Sequence, residues 1–214
     1  MRKKEFTVLP HVVQQWFLNF IDPLINFIVR LNVHPNHFTI LGLFISFVGA
    51  IFYAKHDIRL GGLFVLLGGI CDVIDGKVAR RTGLSSKFGA LLDSSLDRFA
   101  EVFMFLGVAI YFVQIGHDFT SVMVFLALGG SMMVSYVRAR AEGLGYDCKI
   151  GIMQRPERIV YVGISSLIHT YTLELVIWMV AILANFTAIQ RMYHVWQKEK
   201  IEKLAEAEKS ELKS

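Results

Sequence analysis

Charge disappears from this chain for long stretches at a time. Asp, Glu, Lys and Arg are absent from residues 38–54, 60–71, 102–116, 119–137, 159–173 and 175–190. Crossing about 30 Å of hydrocarbon at about 1.5 Å per residue takes roughly 20 mostly apolar residues, so this pattern predicts six spanning helices. The second runs on helically past Cys71 into a polar end. The third has an amphipathic lead-in that starts at Ser86. The boundary between the last two falls on Glu174 and the polar turn at residues 169–172.

Upstream, residues 12–31 set Trp16, Phe17, Phe20, Leu24 and Phe27 on one side, interrupted by Gln14, Gln15, Asn19, Asp22 and Arg30. Such a segment predicts an amphipathic helix lying in the membrane interface, kinked at Pro23, with a seventh span as the alternative. Beyond Arg191, the residues Glu199, Lys200, Glu202, Lys203, Glu206 and Lys209 recur at helical spacing. They predict a solvated helical extension that frays toward Ser214. Residues 1–9 are too polar for a signal peptide. The expected organisation is an interfacial helix at 1–34, a six-helix domain at 35–197 and a charged tail at 198–214.

Composition agrees with an all-α integral membrane protein: 54% of residues are hydrophobic and 19% charged, where a soluble domain averages about a quarter charged. The net charge of +4 would by itself suit nucleic acid, but its distribution points elsewhere. One set of loops and ends holds Arg2, Lys3, Lys4, Lys77, Arg80, Arg81, Lys87, Arg138, Arg140, Lys149, Arg155, Arg158, Arg191, Lys198 and Lys200, and the other has little beyond Lys55 and Arg59. Lys and Arg in short loops stay cytoplasmic, which places both termini and that face inside a multi-pass cell-membrane protein. The basic excess then anchors the chain to anionic membrane lipids, and no nucleic-acid partner is expected. Cys71 and Cys148 make no disulfide framework and read as packing residues.

The informative charges are those beside hydrocarbon. Asp72 and Asp75 continue directly from an apolar span, and Asp93 and Asp97 sit where the next begins. Carboxylates there are costly and are functional candidates by default. Spacings of three and four put each pair on one helix face. Gly83, followed by Ser85 and Ser86, breaks the chain so that the two helices fold back antiparallel. Four converging carboxylates call for a hard divalent cation, Mg²⁺ or Mn²⁺. The small residues Gly76, Ala79, Gly83, Gly89 and Ala90 allow close approach of a helix or nucleotide, and Lys77, Arg80 and Arg81 lie alongside. Metal plus cations is the arrangement that phosphate transfer demands. A cation transporter using the same aspartates is the reading from another class.

In order, the segment reads Asp72-x₂-Asp75-Gly76-x₂-Ala79-Arg80-x₈-Gly89-x₃-Asp93-x₃-Asp97. It resembles, at all eight fixed positions, the signature of the CDP-alcohol phosphatidyltransferase family. The resemblance implies transfer of a phosphatidyl group from a CDP-linked lipid to an alcohol, with release of CMP. It implies two divalent ions held by Asp72, Asp75, Asp93 and Asp97, and Asp97 as the base that takes the acceptor hydroxyl proton. It also implies contacts from Gly76, Ala79 and Arg80 to the CDP moiety, with Thr82 and Ser86 nearby. Pro35, Asn36 and Thr39 match the Pro-Asn-x-x-Thr element that lines the nucleotide site in this family, and a homodimer is a further implication.

A second cluster bears on the alcohol. Ser135, Arg138 and Arg140 end the fourth span, Arg155-Pro156-Glu157-Arg158 opens the fifth, and Arg191 closes the sixth. Guanidiniums gathered at one membrane face suit a doubly charged phosphate, and hence a phosphorylated polyol acceptor. The wording of residues 135–142 and 155–158 is similar to that of phosphatidylinositol phosphate synthases, apart from Arg138, where a lysine is common. That resemblance implies 1D-myo-inositol 3-phosphate as acceptor and Ser135, Arg138, Arg155, Arg158 and Arg191 as its phosphate site. Glycerol 3-phosphate as acceptor, or an archaeal-type ether lipid as donor, are the alternatives within the same chemistry.

Overall fold

A computed structural model describes residues 11–31 and 33–211, with side chains from 18 to 209 apart from Asn32. The basic cluster Arg2, Lys3 and Lys4, the polar N-terminus, the side chains of Trp16 and Phe17, and Ser214 lie outside the described residues. The described chain forms seven α-helices: α1 (His11–Arg30), α2 (Asn36–Ala54), α3 (Ile58–Thr82), α4 (Lys87–Gln114), α5 (Asp118–Gly143), α6 (Arg155–Ile168) and α7 (Thr170–Glu211). Each expected apolar stretch lies within α2 to α7, save at one boundary. Three helices, α2, α5 and α7, are long and apolar enough to cross a membrane by length and composition.

Local chemistry sets the ends. Asp57 caps α3 by accepting from the Leu60 N–H at 3.0 Å, and Ser86 caps α4 by accepting from the Gly89 N–H at 2.9 Å, each satisfying a donor that the first turn leaves free. Between them Gly83 ends α3 at φ 71°, a left-handed conformation that a side chain would strain. At the start of α6 the Gln154 N–H donates to Glu157 at 2.7 Å, half of a reciprocal capping box.

The boundary between the last two helices falls at the start of the expected polar turn, and Glu174 does not interrupt the last helix. The break is a single residue, His169, in extended conformation at φ −166° and ψ 158°, and α7 is already helical at Glu174. Thr172 makes so short a turn possible: its hydroxyl accepts from the His169 N–H at 3.1 Å and lies 2.8 Å from the Ser165 carbonyl, supplying groups the two helix ends lack. The 42 residues of α7 make a rod of about 63 Å that runs unbroken through residue 197 into the charged extension. Helix α1 likewise continues through Pro23.

The packing is that of a protein meant for lipid. The core joins Tyr53, Phe105, Val108, Phe112, Leu173, Ile177 and Val180 across α2, α4 and α7. Phe44, Phe119, Phe125, Leu175, Ile182 and Phe186 stand exposed on the outer faces, while Glu101, Arg158, Thr187 and Arg191 are buried. Apolar exposure on this scale marks a surface made for an apolar environment. Helix α1 lays Ile21, Ile25 and Ile28 on Ile74 and Val78 of α3 and leaves Phe20, Leu24 and Phe27 exposed. Asp22 pins it to the polar end of α3 through Lys77 at 2.9 Å and Arg81 at 2.7 Å. Consecutive in sequence, α3 and α4 scarcely touch; both pack on α2 instead. They diverge as a wedge, and that wedge holds the site.

Candidate active site

Three of the four predicted aspartates form one group. Carboxylate oxygens of Asp72 and Asp75, one turn apart on α3, and of Asp93 on α4 all lie within 4.8 Å of one another. Asp97, one turn further along α4, is outside that group and is held in ion pairs. One of its oxygens is 2.7 Å from Arg155 Nη2 and the other 3.6 Å from Arg98 Nη1. Arg155 also donates from Nη1 to Asp72 at 2.8 Å, so one guanidinium at the start of α6 ties α3 to α4.

The donor set fits a divalent cation. Every candidate ligand is a carboxylate oxygen, as a hard ion requires. Asp75 Oδ2 and Asp93 Oδ1 are buried with no hydrogen-bond partner, a costly state for carboxylate oxygens unless a cation meets them.

Two cavities open on this group. A cleft of about 550 Å³ is lined by Pro35, Asn36 and Thr39 of α2 and its approach, Gly76, Ala79 and Arg80 of α3, Ser86 at the cap of α4, and Asp75 and Asp93. Seven of the eight residues expected at a nucleotide thus converge on one cleft. The eighth, Thr82, does not line it; its hydroxyl donates to the Val78 carbonyl at 2.8 Å within its own helix. Leu84, Ser85, Gly89 and Ala90 complete the wall, and of these Leu84 gave no signal in the sequence. The second cavity, about 410 Å³, lies between α2, α3, α4 and α6 and is lined by Asp72, Asp75, Asp97, Arg155, Glu101 and Thr39 among others. Asp75 and Thr39 face both.

The residues expected at the acceptor phosphate separate. Arg155 faces the second cavity. Arg158 is fully buried, with Nε 2.8 Å and Nη2 2.7 Å from Glu101 and Nη1 3.2 Å from the Met153 carbonyl. Arg191, 2% exposed, donates to the carbonyls of Val134 at 2.6 Å and Ile150 at 2.7 Å, fastening the loop before α6 to α5 and α7. Arg138 pairs with Glu142 at 2.9 Å on the surface of α5, and Ser135 is buried. In this arrangement Arg158 and Arg191 are turned toward carboxylate and carbonyl groups of the protein itself. Sequence reasoning passed over Glu101, whose signal was the continued spacing of four from Asp93 through Asp97.

Comparison with known proteins shows the family. The profile of CDP-alcohol phosphatidyltransferases matches residues 32–190. The chain belongs to the CDP-alcohol phosphatidyltransferase family. It is 37% identical over 184 residues to the archaetidylinositol phosphate synthase of Methanothermobacter thermautotrophicus, covering 84% of this chain and 90% of that protein. It is 30% identical over 190 residues to the phosphatidylinositol phosphate synthase of Mycobacteroides abscessus, covering 85% and 86%. Among solved structures, the phosphatidylinositol phosphate synthase of Mycobacterium tuberculosis with CDP-DAG bound superposes with a TM-score of 0.74 at 27% identity, over 81% of this chain and 92% of that one. The same enzyme in complex with manganese and citrate gives a TM-score of 0.74, with coverage of 81% and 88%. The protein is therefore a membrane transferase of phospholipid biosynthesis that acts on a CDP-linked lipid and an alcohol, and the transporter reading is set aside.

Proposed function

We propose that this phosphatidyltransferase makes a phosphatidylinositol phosphate, moving the phosphatidyl group of a CDP-diacylglycerol-type lipid onto 1D-myo-inositol 3-phosphate. The observation that carries the reading is the place of Arg155: a guanidinium beside Asp97, in a cavity next to the cleft that suits CDP. A phosphorylated polyol whose phosphate met Arg155 would bring its hydroxyls to Asp97. The names of the relatives support the same acceptor class.

In this mechanism Pro35, Asn36, Thr39, Gly76, Ala79, Arg80 and Ser86 hold the CDP moiety, with Thr82 behind them. Asp72, Asp75, Asp93 and Asp97 hold two divalent ions, Mg²⁺ or Mn²⁺, which supply charge neutralisation at the phosphoryl oxygens. Asp97 accepts the proton as the acceptor oxygen bonds to the lipid-bearing phosphorus, and the bond from that phosphorus to CMP breaks, CMP leaving with the electron pair. Ser135, Arg138, Arg158 and Arg191 complete the acceptor side, by contact or by holding its walls. Helices α2 to α7 span the cell membrane with α1 in the interface, the site faces the cytoplasm and the working form is a homodimer. The arginines and lysines gathered at the end of the molecule that holds the site support that orientation.

The ether-lipid alternative has its own support: two archaetidylinositol phosphate synthases are 37% and 39% identical to this chain, and phosphatidylinositol phosphate synthases 28–31%. CMP release from purified protein with Mg²⁺, measured for ester and ether CDP-lipids against inositol 3-phosphate, glycerol 3-phosphate, inositol and serine, separates these readings. Inositol 3-phosphate should give the fastest turnover, and Asp97→Asn should abolish it while leaving CDP-lipid binding in place. Faster turnover with glycerol 3-phosphate would overturn the acceptor, and undiminished turnover in Asp97→Asn would overturn the base.

A further inference from the structure

Asp72 and Asp97, both read as metal ligands, have their oxygens 2.8 and 2.7 Å from the same guanidinium. We infer that Arg155 is a displaceable clasp: it holds Asp72 and Asp97 in place, yields them to a divalent cation, and is thereby freed to take the acceptor phosphate. The last step rests on the acceptor proposed above; the first two do not.

Three observations point this way. A cation bound by Asp72 and Asp97 would compete with Arg155 for the same oxygens, since one carboxylate oxygen of each is already engaged by an Nη. Arg155 is also held by little else. Its Nε is buried with no hydrogen-bond partner, so a guanidinium that lost both carboxylates would keep only the longer-range attraction of Glu101 and Asp93. Finally, its helix is fixed independently. One turn on, Arg158 is locked to Glu101, both fully buried, and the Gln154 and Glu157 capping box pins the first turn. The two arginine–carboxylate rungs between α6 and α4 therefore differ in kind. The inner, Arg158 to Glu101, is closed to solvent; the outer, with Arg155 and Asp97 side chains 14% and 13% exposed, lines the second cavity.

The consequence is a reciprocal coupling between metal and acceptor, because anything that binds Arg155 makes Asp72 and Asp97 easier to occupy, and the reverse. Each of the two ligands, the cation on the aspartates and the phosphate on the guanidinium, therefore raises the affinity for the other.

The test uses purified full-length protein in detergent, stripped with chelator and titrated with Mn²⁺ by calorimetry without lipid or acceptor. Arg155→Gln should bind Mn²⁺ on the order of tenfold more tightly than wild type, and should melt below wild type until Mn²⁺ closes the gap. Arg98→Gln removes an equal charge and a single, longer ion pair to Asp97 at 3.6 Å while leaving Asp72 and Asp97 tied together, and should change Mn²⁺ affinity much less. Arg155→Lys keeps the charge but loses the fork that spans two carboxylates; it should also tighten Mn²⁺ binding and serves if the glutamine variant fails to fold. Variants at Arg155 that tighten Mn²⁺ no more than Arg98→Gln, or melt like wild type under chelator, would overturn the clasp. A protein that shows the clasp yet releases no CMP with inositol 3-phosphate would remove the proposed acceptor and leave the clasp standing.

Discussion

Arg158→Met tests whether this arginine is a ligand-binding group or part of the frame. The pair it forms with Glu101 is fully buried, with Nε and Nη2 at 2.8 and 2.7 Å from the same carboxylate oxygen. At 2.7 Å and an effective dielectric of about 20 the gross attraction is about 6 kcal/mol. Desolvation costs several kcal/mol per ion and offsets most of it. Removing one partner is another matter. Glu101 Oε2 already has no hydrogen-bond partner, so the variant leaves a buried carboxylate with no donor on either oxygen, and the expected loss is about 3–5 kcal/mol. That is a large share of an ordinary folding free energy of roughly 5–15 kcal/mol. Methionine keeps most of the volume, so cavity formation adds little. The double variant Arg158→Met with Glu101→Met replaces both ions by apolar groups and should return close to wild-type stability, giving a coupling energy of about 3 kcal/mol or more in the cycle. Denaturant or thermal unfolding of the four proteins in one detergent measures it. Should Arg158→Met stay within about 0.5 kcal/mol of wild type while raising the KM for the phosphorylated acceptor, Arg158 would be a ligand-binding residue and the buried-frame reading would fail.

Two more expectations follow from the packing. A Cβ on Gly107 would lie 2.7 Å from both the Cα and the carbonyl oxygen of Ala50, backbone atoms that cannot step aside; Gly107→Ala should cost about 1–3 kcal/mol and slow CMP release by shifting α4 and its aspartates. Gly129, with nothing within 4 Å of its would-be Cβ, is the control, and equal melting of the two variants would refute the close approach. On α1, hydrogen bonds from Lys77 and then Arg81 hold the Asp22 carboxyl below its ordinary 3.8. A carboxyl lowered in the folded state stabilises at neutral pH and loses that contribution as pH falls through its own value, below 3.8. A spin label replacing exposed Phe20 should therefore gain mobility in Asp22→Asn at neutral pH, and in wild type only in strong acid; unchanged mobility in Asp22→Asn would mean that Ile21, Ile25 and Ile28 alone dock the helix.

Much of the site was legible because it is written in short spacings. Intervals of three and four place carboxylates on one helix face whatever the tertiary structure does, and the cap at Ser86 and the turn at Gly83 follow from local chemistry. What escaped depends on which helix lies against which. An arginine reads the same in sequence whether it meets a ligand, a carboxylate or a backbone carbonyl. Only the docking of α6 on α4 assigns Arg158 to Glu101, and only the fold of the loop before α6 assigns Arg191 to Ile150. Thr82 lies off the cleft wall for a related reason: three residues past Ala79 its hydroxyl turns back onto the carbonyl four residues earlier. Of the two signals for a break before the last helix, the polar turn at His169 holds and Glu174 does not, because that carboxylate is accommodated inside α7 by Thr120 and His117 of the neighbouring turn.

The same pairings explain why so acidic a wedge is tolerated. Asp72, Asp75, Asp93, Asp97 and Glu101 face Arg98, Arg155 and Arg158, five carboxylates against three guanidiniums, a formal charge of −2. One divalent ion would cancel it. A second would leave the wedge at +2, opposite to the −2 that the two phosphates of a CDP-linked lipid would bring into the adjoining cleft, one on each. The guanidiniums within the wedge thus reduce its acidic excess to a size that two divalent ions with one diphosphate would balance, Arg80 on the cleft wall adding one further positive charge beside the donor. In water such a balance would matter little, but next to hydrocarbon each uncancelled charge is expensive. That balance favours binding ions and donor together, and it would be lost if Glu101 or Arg158 were changed alone, even though neither need touch the substrate.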